Sequence, residues 1–141
     1  MQRSPHPSQL AAEALLKQHW PEHAPDRMSR CFARAHRLYA VQELPTCAIE
    51  PVERAAGVPG IVEDRAVRLI NWYAAGVEVD VIVVEQLPTT NSMPSRRYRL
   101  CDGYHRYYFA LAAGCTHIRA AVSPNTAPGA DRVGGAAPQE G

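Results

Sequence analysis

The segment Tyr104 to Ala113 is apolar on nearly every side after its first turn, and glycines bracket it at 103 and 114. At helical spacing such a segment keeps no face for water, so the helix has to be central to whatever the chain folds into. The alternating run Arg96 to Cys101 carries Tyr98 and Leu100 on one face and leads straight into Asp102-Gly103, where the helix begins at once. Gly103 permits a tight turn between strand and helix, and Gly114 supplies a C-cap.

The rest of the chain predicts what surrounds this helix. Leu38 to Leu44 reads as a first strand closed by Pro45, followed by an irregular stretch from Cys47 to Gly60. Glu63 to Ala75 has helical spacing, with Ala66, Val67, Ile70 and Tyr73 or Ala74 on its buried face and Gly76 at its end. Val77 to Leu87 is valine-rich and predicts a largely buried strand, which the polar loop Pro88 to Ser95 joins to the 96–101 run as a long hairpin. His117 to Val122 predicts a last strand with Ile118, Ala120 and Val122 on one face.

From residue 38 the order is therefore strand, helix, strand, strand, helix, strand, which predicts a compact α+β domain with a small mixed sheet over residues 38–123. Ahead of it lies an expected helical extension, 9–37. Gln9 to Trp20 forms its first helix, stopped by Pro21. A second helix, capped by Asp26 and running to about Leu38, has Met28, Phe32, Ala35 and Leu38 as its apolar positions. Residues 1–8 and the Gly/Ala/Pro-rich residues 124–141 are expected to be disordered.

Composition narrows the function. The formal charge of +1 gives no overall field that would draw the chain to nucleic acid or membrane. No run of about 18 apolar residues is present, so no membrane span is expected, and the N-terminus lacks the apolar core of a secretory signal. The cysteines at 31, 47, 101 and 115 include no C-x-x-C pair, so they read as reduced thiols of a cytoplasmic protein with no structural zinc. Cys101, on a strand, is expected to be packed. His19 and His23 are four apart, but Pro21 between them breaks the helix that would bring them to one metal.

The chemistry concentrates at Asp102-Gly103-Tyr104-His105-Arg106. The first N–H groups of a helix lack intrahelical acceptors, and its dipole places partial positive charge at the same end, so a strand-Gly-helix junction is suited to an anion. Arg106 can grip phosphate oxygens bidentately and His105 can donate a hydrogen bond or a proton. Asp102 reads either as a helix cap or as a ligand for Mg²⁺ beside the phosphates. Glu63 and Asp64 read as favourable charges at a helix start, and Glu50 as a loop carboxylate within reach of a cleft.

The run Tyr98 to Ala110, continued by Leu111-Ala112-Ala113-Gly114 and Ile118, resembles the signature of the ParB/sulfiredoxin-like superfamily: a strand, a Gly-x-His-Arg type turn, an Ala-containing helix, a Gly and a final strand. The helix 63–75 and the strand through Val79-Asp80-Val81-Ile82-Val83-Val84 are similar to the elements that precede it in the family. The resemblance covers residues 38–123 and is specific over 98–122. It implies that Gly103, Tyr104, His105 and Arg106 line a nucleotide phosphate site. Family members include CTP-hydrolysing ParB DNA clamps, ATP-using sulfiredoxins, free-serine kinases and proteins described as nucleases.

Two departures shape the expectation. Tyr104 stands where sulfiredoxins carry their catalytic cysteine, and tyrosine cannot replace that thiolate. The chain after residue 123 is expected to be too short for the helix-turn-helix domain of a complete partition protein. What the resemblance then implies is a nucleotide- and Mg²⁺-dependent hydrolase or phosphotransferase with Asp102, His105 and Arg106 as catalytic groups. The alternatives are a non-catalytic, DNA-associated partition accessory of plasmid or phage type, or a protein-interaction module. For the DNA alternative, Arg27, Arg30, Arg34 and Arg37 form the stripe that could contact a phosphate backbone, with Arg96, Arg97 and Arg99 adding charge on an expected edge strand.

Overall fold

The computed structural model describes residues 6–51, 60–88 and 97–124. They form a mixed α+β structure in which four helices pack on a five-stranded sheet. Of the ends expected to be disordered, 1–8 and 124–141, residues 1–5 and 125–141 lie outside the described residues, as do most of the irregular stretch before Gly60 and the hairpin loop with Arg96, whereas Pro7 and Ser8 are already helical and Ser8 is buried.

The two central strands are β3 (Ile82–Gln86) and β5 (His117–Ser123), which run parallel with Ile82 opposite Ala120 and Val84 opposite Val122. Strand β1 (Val41–Pro45) adds antiparallel to β5, and β4 (Tyr98–Asp102) adds antiparallel to β3. The two-residue β2 (Ile49–Glu50) runs parallel to β4 and closes that side, giving the order β1-β5-β3-β4-β2. The expected β3–β4 hairpin pairing is present, with a register irregularity between Val83 and Val84. Because β2 covers β4, the 97–101 arginines do not guard a bare edge. Arg97 donates its N–H to Ala48 O at 3.0 Å, and Arg99 pairs with Glu85 across the ladder at 3.5 Å.

The helices are α1 (Pro7–His19), α2 (Pro25–Cys31), α3 (Glu63–Ala74) and α4 (Tyr104–Ala112). As its composition demands, α4 is buried through Tyr104, His105, Tyr107, Tyr108, Phe109 and Ala110. Helix α1 covers one side of it. On another side Tyr107 shares its hydroxyl proton between Thr46 O (3.4 Å) and Ile49 O (3.3 Å) at the turn leading into β2. Helix α3 buries Ala66, Ile70 and Tyr73, while Val67 is half-buried and Ala74 exposed.

Strand β1 begins at Val41 instead of Leu38 and includes Pro45. Both α2 and β3 are much shorter than expected, for one shared reason. Helix α2 ends at Cys31 instead of near Leu38, and Pro25 at its first turn makes Ala24 the cap in place of Asp26. Beyond Phe32 the backbone turns to meet the chain entering β3: Val79 donates to Cys31 O at 2.7 Å and Arg34 to Val79 O at 3.4 Å. Val79 and Val81 are buried there, yet only a single bridge, Arg34 to Asp80, forms before the ladder starts at Ile82. Leu38, expected on a buried helical face, is 78% exposed as a result.

All four cysteines are free thiols, Cys31 and Cys115 buried, Cys47 and Cys101 exposed. Cys101 points outward because Leu100 takes the inward side of β4 and strand side chains alternate. No helix among the described residues is long and apolar enough to cross a membrane.

Candidate functional site

Gly103 is the N-cap of α4, with φ 106° and ψ 40°. A side chain here would be strained by that dihedral alone. It would also collide with the sheet, since a Cβ would lie 2.8 Å from Cγ2 of Ile82. Glycine thus lets the start of α4 press directly against β3. The first intrahelical bond runs from Tyr107 N–H to Gly103 O at 2.8 Å, so the amides of Tyr104, His105 and Arg106 must find their acceptors outside the helix. The cap position is held by Gly103, so Asp102 stands one residue before it.

The side chains of the turn are tied into the scaffold. His105 is 5% exposed, and its Nε2 accepts the N–H of Val62, the N-cap of α3, at 2.9 Å. With Nε2 accepting, the neutral ring carries its proton on Nδ1. Arg106 donates through Nη1 to the carbonyls of Asp80 (2.8 Å) and Val81 (3.0 Å), and through Nη2 to Oδ2 of Asp102 at 3.5 Å. These bonds hold the chain entering β3 against α4. Tyr104 hydrogen-bonds Ser8 Oγ at 2.6 Å and packs its ring on Tyr108, with centroids 5.0 Å apart. Oδ1 of Asp102 is buried and has no hydrogen-bond partner among the described residues.

Among the described residues three cavities adjoin this assembly. The smallest, about 150 Å³, opens at the start of α4 and is lined by Arg65, Leu69, Gly103, Tyr104, His105 and Arg106. Next to it, sharing Leu69 and Arg106, a cleft of about 560 Å³ extends past Trp72, Val77 and Val79 to Asp80 and Arg34. Beyond Arg34 and Asp80 a third cleft, of about 540 Å³, is lined by His36, Arg37, Val83 and Asp102 among others.

Asp102, Gly103, Tyr104, His105 and Arg106 are consecutive at the junction of β4 and α4, with His105 and Arg106 committed to bonds within the protein. The structure adds Arg65, which sequence reasoning missed. The signal was available in part, since Arg65 follows Glu63-Asp64 in the first turn of α3, but its approach to Gly103 depends on the His105–Val62 bond. Glu63 and Asp64 are exposed in that first turn, and Glu50 is half-buried in β2.

The four arginines do not form one stripe. Arg27 and Arg30 lie on α2, whereas Arg34 and Arg37 follow its end and line the third cleft. Arg34 pairs there with Asp80 at 3.6 Å. The loop is held by His36, whose Nδ1 accepts from Leu38 N–H (3.0 Å) and Tyr39 N–H (3.2 Å) while its ring stacks on Tyr39. Among the described residues no cluster of three or more His, Cys, Asp or Glu is arranged to hold a metal.

No family model matches the chain, and no curated protein matches it.

Proposed function

We propose that the chain is a nucleotide-binding protein of ParB/sulfiredoxin-like fold that holds phosphate groups at the start of α4. The observation that carries this reading is the cavity of about 150 Å³ where that helix end, Gly103 and Arg65 converge. The helix end contributes roughly half an elementary positive charge, and the Arg65 guanidinium adds a donor fork suited to phosphate oxygens.

The roles within the turn follow from the contacts. Gly103 allows the backbone to approach. His105 positions the start of α3, and with it Arg65, by accepting from Val62. Arg106 positions the chain before β3 and lends its charge to the cavity wall. Mg²⁺, when bound with a nucleotide, would screen the charge of the phosphates. Asp102 is the one carboxylate of the turn, but it lines the third cleft and not the phosphate cavity, so no step is routed through a metal there. Positive charge fixed in this way stabilises charge developing during phosphoryl hydrolysis or transfer.

Calorimetric titration of wild type and Arg65→Ala with ATP, CTP and GTP, each with Mg²⁺, tests the reading. Wild type is expected to bind at least one nucleotide, and Arg65→Ala to bind it roughly 10-fold more weakly. Failure of wild type to bind any of the three overturns the proposal. Binding without turnover leaves a nucleotide-sensing accessory rather than an enzyme.

A further inference from the structure

Arg65, Leu69 and Trp72 occupy positions i, i+4 and i+7 of α3, so they form one stripe along the helix. This stripe is opposite in character to the buried one, since Arg65 is exposed, Leu69 half-buried and Trp72 46% exposed. Its Arg65 end lines the phosphate cavity, and its Trp72 end lines the adjoining cleft of about 560 Å³. We infer that this cleft is the seat of a nucleobase, whose flat ring stacks on Trp72 while the phosphates of the same molecule occupy the cavity at Arg65 and Gly103. The inference rests on the phosphate-binding reading above and names the class of ligand that the site takes.

Three features support it. The first is the indole itself. The other tryptophan, Trp20, is 5% exposed in the core, whereas Trp72 presents its ring to an open cleft beside Leu69 and the 43%-exposed Val77. An apolar wall of this kind attracts a planar ring, and base-on-aromatic stacking tolerates any base because each has a π-face. The second is length. Seven residues of helix rise about 10.5 Å, which matches the reach of an extended nucleoside diphosphate from base to terminal phosphate. The third is the rim. Glu78 and Asp80 offer carboxylate acceptors to exocyclic amino groups, and Arg34 offers donors to ring carbonyls.

The test separates the ring from the phosphates. Wild type and Trp72→Leu are titrated with Mg²⁺-ATP, Mg²⁺-CTP, Mg²⁺-GTP and with Mg²⁺-tripolyphosphate, which has no ring, by calorimetry and by tryptophan fluorescence. Expected is tripolyphosphate binding that is equal in the two proteins and leaves emission unchanged. Nucleotides are expected to bind wild type with quenching, and to bind Trp72→Leu roughly 10-fold more weakly. Equal nucleotide affinity in both proteins, or nucleotide affinity no greater than that of tripolyphosphate, overturns the base platform while the phosphate site stands. If neither nucleotide nor tripolyphosphate binds wild type, the phosphate reading fails and the platform fails with it.

Discussion

The N–H of Val62 donates to the buried Nε2 of His105 at 2.9 Å, so the residue that opens α3 is held by the second residue of α4. Replacing His105 by Ala leaves that amide without its acceptor and opens space in a packed region. Urea denaturation is expected to show a loss of about 1–3 kcal/mol. Nucleotide affinity should fall as well, because Arg65 stands one turn beyond the released residue. Unchanged stability in His105→Ala would show that the bond does not fix α3.

Arg106 is expected to behave as a structural clip. One guanidinium nitrogen serves two carbonyls and the other faces Asp102, a fork that an ammonium group does not reproduce. Arg106→Ala should cost about 2–3 kcal/mol, and Arg106→Lys should recover only part of it. Hydrogen exchange provides a second readout, with amides at the entry to β3 losing protection in Arg106→Ala before those of β5 do.

Two glycines with positive φ separate dihedral strain from close packing. At Gly76, φ is 77° and a Cβ would meet nothing within 4 Å, so Gly76→Ala costs only the left-handed conformation, about 1–2 kcal/mol. At Gly103 the same substitution also drives a Cβ into Ile82. Thermal melting should therefore place Gly103→Ala clearly below Gly76→Ala. Equal melting temperatures would mean that β3 yields freely at Ile82.

The cysteines should divide by reactivity. Burial pushes the Cys115 thiol up from 9.0 to about 11, with the Asp26 carboxylate adding to the rise, and burial raises Cys31 against the opposing charge of Arg30. At pH 8, iodoacetamide followed by mass spectrometry is expected to label Cys47 and Cys101 well before Cys31 and Cys115. The sign of the linkage follows. The folded protein keeps a proton on Cys115 that the unfolded chain releases near pH 9, so the stabilisation is complete below pH 9 and is lost as pH rises towards 11. Denaturation midpoints should fall across that window, and by less in Cys115→Ala.

Much of the fold was legible because periodicity reports burial directly. The apolar Tyr104–Ala112 run, the spacing of Ala66, Ile70 and Tyr73, and the alternation through Ile118 and Ala120 each identify an element and its inward face. The end of α2 was not legible. Residues 32–38 continue a plausible helical pattern, and only the competing bonds from Val79 and Arg34 reveal why the helix stops. The two-residue β2 carries too little periodicity to be seen. At the site, the glycine turn could be placed from sequence. That His105 and Arg106 bind the scaffold depends on Val62, Asp80 and Val81, residues 25 to 43 positions upstream that no local pattern links to the turn.

The bond from Ser8 to Tyr104 joins residues 96 positions apart. During synthesis, at about 5–20 residues per second, α1 waits on the order of 5–20 s after its own completion before its partner exists. Its apolar face, Ala12 and Leu16, has α4 as a principal cover, so the nascent chain carries an unmatched helix until α4 has been made. Helix α1 is thus made well before it can dock, and slow translation lengthens the interval in which it is open to chaperones and to wrong partners.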